Sequence, residues 1–555
     1  MIFRIKENLN DRTNTICTAV FSMLFSICFL LTFKVSFSGN ITDRLSKNYI
    51  RPLHIWDVPI FVLTAAIVFF AVQIIIILLD SAAIKRFFAR GNELDKTKVF
   101  KACFFANFFT WMLFFLTFYP IVGMNDSLWI IKQPLQMAGQ HPILYNLFLS
   151  GCYNIGKFIF GSETAGLAAY SIIQMLIMNL CASFCVAWLS TKKCPKPIIY
   201  IAGVYFAFMP IIADYSITAI KDTLFSTLIM LFIPILYELV QNNGALLKTK
   251  KGILAFAFFS LTLCLIRNNG TYVLAGVGII LFFVIKNMRR TIALIVCIVI
   301  AASTVPDRIV KQLGVETLFQ EAVAVPLQQI GMVVASDKIT EPEDIKFVEN
   351  LLPLREFRSN YSPMSVDTVK WDGNFNTDYL NSHPGEFLAF WFKQLLKHPL
   401  LYVEAYLLET YGFWSIGTQN GNQYVFFDIT STASNIRLKA YLAKEGIKNL
   451  PVFSDAIQQP LVSFYRTACK YIGAGSCFWI FMLIALLLMV RRKTKYLAVM
   501  SPCAFVWLTL MISAPVAFAF RYVFMYVMCM PFVLMLPFIC GKDFKNGEDK
   551  NERNC

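Results

Sequence analysis

Runs of apolar residues, each closed by a short charged stretch, repeat along nearly the whole chain. Many reach about 18 residues, the length that crosses a bilayer as a helix and that a soluble core does not need. Inside lipid every backbone N–H and C=O must be paired within the protein, which leaves helices or a closed barrel. Runs this continuous lack the in–out alternation of a barrel strand. The pattern predicts about twelve helical spans, near 15–33, 57–79, 102–121, 164–189, 197–212, 222–240, 252–266, 271–286, 291–305, 473–490, 496–514 and 520–540.

Between 305 and 470 the pattern turns polar and helical. A helix is expected at Glu341–Pro342–Glu343–Asp344, capped by Thr340, with acids in its first turn. A second opens at Ser382–His383–Pro384–Gly385–Glu386 and stops at His398–Pro399. A third runs from Pro399 towards Trp414. Phe387, Phe390, Trp391, Tyr402 and Tyr406 make these helices aromatic, suited to pack on the membrane bundle or to rest on lipid. Residues 371–379 and 417–423 read as loops. The expected organisation is an N-terminal transmembrane pair with a cytoplasmic loop (1–101), core spans (102–305) with a first outer loop at 122–163, an extracytoplasmic domain (306–472), C-terminal spans (473–540) and a polar cytoplasmic tail (541–555). No internal repeat is evident, which disfavours repeat-built transporters.

Charge fixes the orientation. About 26 Lys and Arg fall on the loops and termini of one face, about 9 on those of the other, and about 15 in 305–470. Lys85, Arg86, Arg90, Lys96, Lys98 and Lys101 mark one cytoplasmic loop, and Arg491, Arg492, Lys493 and Lys495 another. The first span is read as uncleaved, with both chain ends inside. Residues 142–160 are apolar enough to span, but a span there would put Lys192, Lys193 and Lys196 outside. Gly151, Asn154, Gly156 and Lys157 also suit an interfacial helix, so the segment is placed along the outer surface.

Composition agrees with a membrane protein: 57% hydrophobic, 15% charged and 53 Phe, against roughly a quarter charged in soluble domains. The net charge of +16 follows the loops, and 305–470 carries roughly 18 acids against 15 bases, so no nucleic-acid footprint forms. Cys28, Cys181, Cys185, Cys297 and Cys529 lie in apolar runs and read as small hydrophobes. The outer domain has no Cys before Cys469, which excludes a disulfide framework, and no metal spacing of Cys and His appears. Gly151–Gly156–Lys157 mimics a phosphate-binding loop but lacks the following Ser or Thr and any preceding strand.

Candidate chemistry gathers at the expected outer ends of spans. Asp126, in Gly123–Met124–Asn125–Asp126–Ser127, can act as general base for a hydroxyl or amine, or cap an interfacial helix. Lys221, Arg267 and Arg521 each place a base where bases are scarce, suiting an anionic partner such as phosphate. Snorkelling, or pairing of Lys221 with Asp222 or Asp214, is the structural alternative. His141 can shuttle protons, whereas His383 and His398 mark helix boundaries. Glu404 and Glu409, five apart, are expected to be solvated or paired.

The order Asp126–Ser127, Gln133, His141–Pro142, Lys221–Asp222, Arg267–Asn268–Asn269–Gly270 and Pro326–Leu327–Gln328–Gln329 resembles a family of bacterial multi-pass membrane proteins related to the GT-C glycosyltransferases. So do Tyr379–Leu380, His383–Pro384–Gly385–Glu386–Phe387, Lys397–His398–Pro399, Tyr402, Pro515 and Phe520–Arg521–Tyr522–Val523. The aminoarabinose and protein mannosyl transferases are more distant relatives of the same fold. The resemblance implies a GT-C-like helical bundle in the cell membrane with its active site outside. It also implies transfer of a sugar from a polyprenyl-phosphate donor to a glycan, lipid or protein acceptor. By motif, Asp126 falls at the acid position. Lys221, Arg267 and Arg521 are assigned to the phosphate by span position, with His141, Gln133 and Tyr522 as further substrate-binding residues. Asn125 stands where many relatives carry a second acid, so no cofactor is required and a divalent metal is doubtful. A transporter or flippase of lipid-linked sugars and a surface-glycan polymerase or ligase remain alternatives.

Overall fold

A computed structural model describes residues 8–35, 49–122, 125–315, 319–416, 452–469, 472–513, 516–517 and 519–541, with Asn125, Asp126, Arg466 and Cys469 given as backbone only. The expected loop at 417–423 and the tail from 542 lie outside the described residues. Among those described there is no strand, only two isolated bridges, and the chain is an all-α membrane protein. Eight helices are long and apolar enough to cross a bilayer: Arg12–Lys34, Asp57–Leu79, Lys96–Thr117, Glu163–Ser190, Lys221–Gln241, Lys286–Gln312, Thr494–Ser513 and Phe520–Ile539. Lys196–Phe208 and Pro210–Ile217, bent by 50°, make a ninth if the pair counts as one broken span. Pro210 causes the bend, since it has no N–H to continue the ladder.

The other three expected spans are also helices: Lys250–Ile266, Asn269–Val284 and Ala474–Val490. At 16 or 17 residues each is about 25 Å long, short of a hydrocarbon core of roughly 30 Å. Residues 143–160 form one helix laid against the Glu163 helix. Close approach is permitted by glycine: a Cβ on Gly156 would lie 2.4 Å from the Ala169 Cβ, and one on Gly166 would lie 2.7 Å from Tyr153. Lys157, the lysine of the phosphate-loop mimic, is in an ion pair with Glu163 at 2.5 Å.

Two large apolar cores organise the described residues. One fills the membrane bundle, and the other, from Val323 to Tyr402, belongs to the segment expected to form the outer domain. Phe387, Phe390 and Tyr402 are buried in this second core, so they neither line the membrane bundle nor lie on lipid as expected. Thr340 does not cap its helix: the cap is Glu341, which makes no capping hydrogen bond through its side chain. The His383 and His398 boundaries stand, each preceding a proline that opens a helix. The Gln328–Gln329 motif serves this domain too. Gln328 donates to the Ser362 carbonyl (2.7 Å), and Gln329 accepts from the Trp391 indole (2.8 Å).

Aromatic side chains tie the end of the outer domain to the bundle. Trp479 donates to the Trp414 carbonyl (2.8 Å), Trp507 to the Phe413 carbonyl (3.2 Å) and Tyr411 to the Thr32 carbonyl (2.9 Å). The Ala517 N–H donates to the Met364 carbonyl (2.9 Å). The helix Pro399–Thr410, which carries Glu409, is thereby fixed beside the bundle.

Candidate functional site

The loop expected to be the first outer one is fastened to the chain just before Lys221. The Val122 N–H donates to the Ile217 carbonyl (3.2 Å), and the Ala219 N–H donates to the Val122 carbonyl (3.0 Å). Ser127 donates its hydroxyl to the Ala219 carbonyl. Gln174, fully buried on the Glu163 helix, holds the same segment. Its amide group lies 3.2, 3.0 and 2.9 Å from the carbonyls of Tyr215, Ser216 and Thr218. Tyr170 donates to the Gln174 carbonyl oxygen at 2.5 Å and lies 3.4 Å from the Tyr145 hydroxyl. A non-helical break inside an apolar bundle exposes backbone carbonyls that lipid cannot satisfy, and Gln174 supplies donors for them.

Beyond the short helix Asn125–Lys132, Pro134 turns the chain and a single 3-10 turn, Gln136–Gly139, delivers His141. Lys221 opens the next helix, and its Nζ lies 2.7 Å from His141 Nδ1. Lys221 as an ammonium donates in this contact, with Nδ1 as acceptor. Arg267 ends the Lys250 helix in extended conformation and pairs with Asp222 at 2.5 Å. Its guanidinium lies over the rings of Phe225 (5.4 Å) and Tyr522 (5.3 Å). Arg521 lies over the Tyr522 ring at 4.8 Å and donates to its hydroxyl at 2.9 Å. Tyr522 is thus in contact with two guanidinium groups.

These groups line one cavity of about 1630 Å³. His141, Lys221, Asp222, Arg267, Arg521 and Tyr522 form its membrane-bundle wall. Along the same wall run Tyr272, Phe505, Leu508 and Ile512, with Tyr272 68% and Ile512 76% exposed, so this edge is apolar and open. The outer domain contributes Glu321, Asp367, Lys370, Trp371 and Glu409. Lys370 is saturated locally, at 3.2 Å from Glu321 and 2.9 Å from Asp367.

Five of the sequence-predicted residues therefore meet: Lys221, Arg267, Arg521, His141 and Tyr522. Gln133 does not join them. It is exposed beyond the end of its helix, and Gln140, past the 3-10 turn, lines the cavity in its place. Asp126 stands in the first turn of its helix, next to the cavity residue Ser127, and its side chain lies outside the described residues. Lys221 is bonded to His141, and Asp222 pairs with Arg267. Among the described residues no group of three or more His, Cys, Asp or Glu is arranged to hold a metal.

Glu409 corrects another expectation, being neither solvated nor paired. It is 1% exposed, and neither carboxyl oxygen has a hydrogen-bond partner. Burial pushes its carboxyl well above the usual carboxylate range, Asp367 adds to the effect and Lys370 opposes it. The sequence carries one clue: no Lys or Arg occurs between Lys397 and Arg437, so the acid has no base on its own helix. Glu404, by contrast, accepts the Ile50 N–H at 3.1 Å.

No curated protein and no solved structure matches this chain. A family model does, over residues 127–552, a span that holds every described cavity residue and begins one residue after Asp126. That match covers more than half of the chain, which belongs to the Family of unknown function (DUF6020).

Proposed function

We propose that this protein is a membrane glycosyltransferase that moves a sugar from a polyprenyl-phosphate donor to an acceptor outside the membrane. The observation that carries the reading is the pairing of Lys221, Arg267 and Arg521 with an open apolar edge on one cavity wall. Such a wall suits an amphiphile, with its isoprenoid along Tyr272, Phe505, Leu508 and Ile512 and its phosphate on the cations. Arginine supports bidentate contact with phosphate, and stacking on Tyr522 limits the motion of both guanidinium groups. The proposed topology is GT-C-like, with twelve spans including the three short helices, helix Ile143–Phe160 along the outer interface and both chain ends cytoplasmic.

In the proposed reaction an acceptor oxygen or nitrogen attacks the anomeric carbon, and the bond from that carbon to the phosphate oxygen breaks. Polyprenyl phosphate leaves with the bonding electron pair, and the acceptor's proton passes to Asp126. The cations offset the charge that develops on the departing phosphate, which lowers the barrier only insofar as they hold it more tightly than the intact donor. His141 orients Lys221 through their contact. A divalent metal is not needed for these steps.

Mass spectrometry of lipids and surface glycans from cells with and without the protein tests the reading. An accumulated polyprenyl-phosphate sugar and a glycan lacking one residue are expected on its loss, and unchanged profiles would refute transfer. Asp126→Asn should give the same lipid accumulation at normal protein level. A normal glycan profile in that variant would remove Asp126 from the mechanism.

A further inference from the structure

Glu409 is the one described residue for which both carboxyl oxygens are buried and lack a hydrogen-bond partner. Leaving a polar group in this state costs about 1–3 kcal/mol, and here the group lines a cavity large enough for a ligand. Its neighbours do not relieve it. Lys370 is engaged by Glu321 and Asp367, and the three cations of the bundle wall stand on other elements. Burial and the Asp367 charge favour the protonated form. A neutral carboxyl offers one O–H donor and an acceptor oxygen, the complement of a pair of neighbouring hydroxyls. Two half-exposed indoles line the same cavity, Trp129 at 50% and Trp371 at 47%, the latter one residue from Lys370. A flat aromatic face suits the apolar face of a sugar ring.

We propose that Glu409 and Trp371 form a subsite on the outer-domain wall for a neutral polyhydroxyl ligand, a sugar ring, bound by paired hydrogen bonds and stacking. The subsite deepens the glycosyl-transfer reading, on which it rests for its role. It recognises uncharged hydroxyls rather than an ammonium group.

The test uses the full-length protein in lipid nanodiscs, with methyl α-glucoside and methyl α-glucosaminide as probes in saturation-transfer NMR. Wild type is expected to bind the neutral glycoside. Glu409→Leu removes donor and acceptor and should weaken binding by about tenfold or more, the loss of one or two hydrogen bonds. Glu409→Gln keeps a donor and an acceptor and should stay within about threefold of wild type. Trp371→Leu should weaken binding with Glu409 intact. The infrared carbonyl band of protonated carboxylic acids should lose intensity in both Glu409 variants relative to wild type. Three results would overturn the proposal: no glycoside binding by wild type, wild-type affinity in Glu409→Leu, or binding of the amino glycoside alone with loss in Glu409→Gln. Polyprenyl phosphate, tested separately, reports on the bundle wall. Its failure to bind while the neutral glycoside binds through Glu409 would sink the donor assignment and leave this subsite standing.

Discussion

Removing one member of the Arg267–Asp222 pair separates the packing of the cavity wall from its chemistry. The two side chains are 10% and 2% exposed, and their nitrogen and oxygen are 2.5 Å apart. With charge centres about 4 Å apart and an effective dielectric of about 20, the attraction is about 4 kcal/mol. Desolvation of both groups offsets much of it, so the whole pair contributes little net, while removing one partner costs about 3–5 kcal/mol. Arg267→Met leaves the Asp222 carboxylate buried without its cation and should fall in that range. Asp222→Asn should cost less, about 1–3 kcal/mol, because the guanidinium keeps its contacts with Phe225 and Tyr522 and borders the cavity. The double variant removes both charges and should lie within about 1–2 kcal/mol of wild type. The assay is thermal unfolding of the full chain in one detergent, read by tryptophan fluorescence, with polyprenyl-phosphate binding measured on the same samples. Stability should recover in the double variant while phosphate binding stays lost, since Arg267 is absent. A double variant destabilised relative to wild type by the sum of the two single effects would refute the coupling.

Two other perturbations test different layers of the fold. Gln174→Leu removes the donors for the carbonyls of Tyr215, Ser216 and Thr218; it should destabilise by about 2–4 kcal/mol and weaken phosphate binding through Lys221, whereas unchanged thermal unfolding would show that another group satisfies those carbonyls. In the outer domain, hydrogen bonds from Lys393 and Lys397 lower the Glu341 carboxyl from 4.5 to about 2. A depressed folded value means that this stabilisation is full above the unfolded value and is lost as pH falls from about 4.5 towards 2. The double change Lys393→Met with Lys397→Met should flatten acid unfolding in that window, monitored by the fluorescence of the full chain, and an unaltered acid transition would dismiss the cluster.

Much of the bundle was legible because lipid enforces it. Every one of the twelve apolar runs is helical, since no other conformation satisfies its backbone in hydrocarbon. Length along the axis was less legible. Residues 250–266 and 269–284 are separated only by Arg267 and Asn268, where Arg267 is extended and pairs with Asp222. The cations could be selected as exceptions to the charge rule, whereas their partners could not. Lys221 and Asp222 are adjacent in sequence but lie near different groups, because neighbouring positions on a helix face about 100° apart. Gln133 was misplaced because motif spacing says nothing about the turn at Pro134. Glu409 escaped because a lone acid in an aromatic helix usually reaches water or a base, and the charges that act on it, Asp367 and Lys370, lie 42 and 39 positions away in sequence.

The division of charge between two separately packed cores has a physical reason. Were Glu409 on the bundle wall, a nearby cation could reach it, and a cation–carboxylate pair would replace the polar cavity with a closed contact. The pairs that do form are local to each wall: Arg267 with Asp222 on the bundle, Lys370 with Glu321 and Asp367 on the outer domain. None of these pairs joins the two walls. The joints at Trp414, Phe413 and Tyr411 then fix the separation between them through hydrogen bonds to backbone carbonyls, which carry no net charge and leave the ion pairs undisturbed. The proposed ligand, with an anionic group and a neutral polyol, would need none of the carboxylates in these pairs. A purely cationic ligand would have to compete with Lys370 for Glu321 and Asp367, and a purely apolar one would leave both Glu409 oxygens without a hydrogen-bond partner.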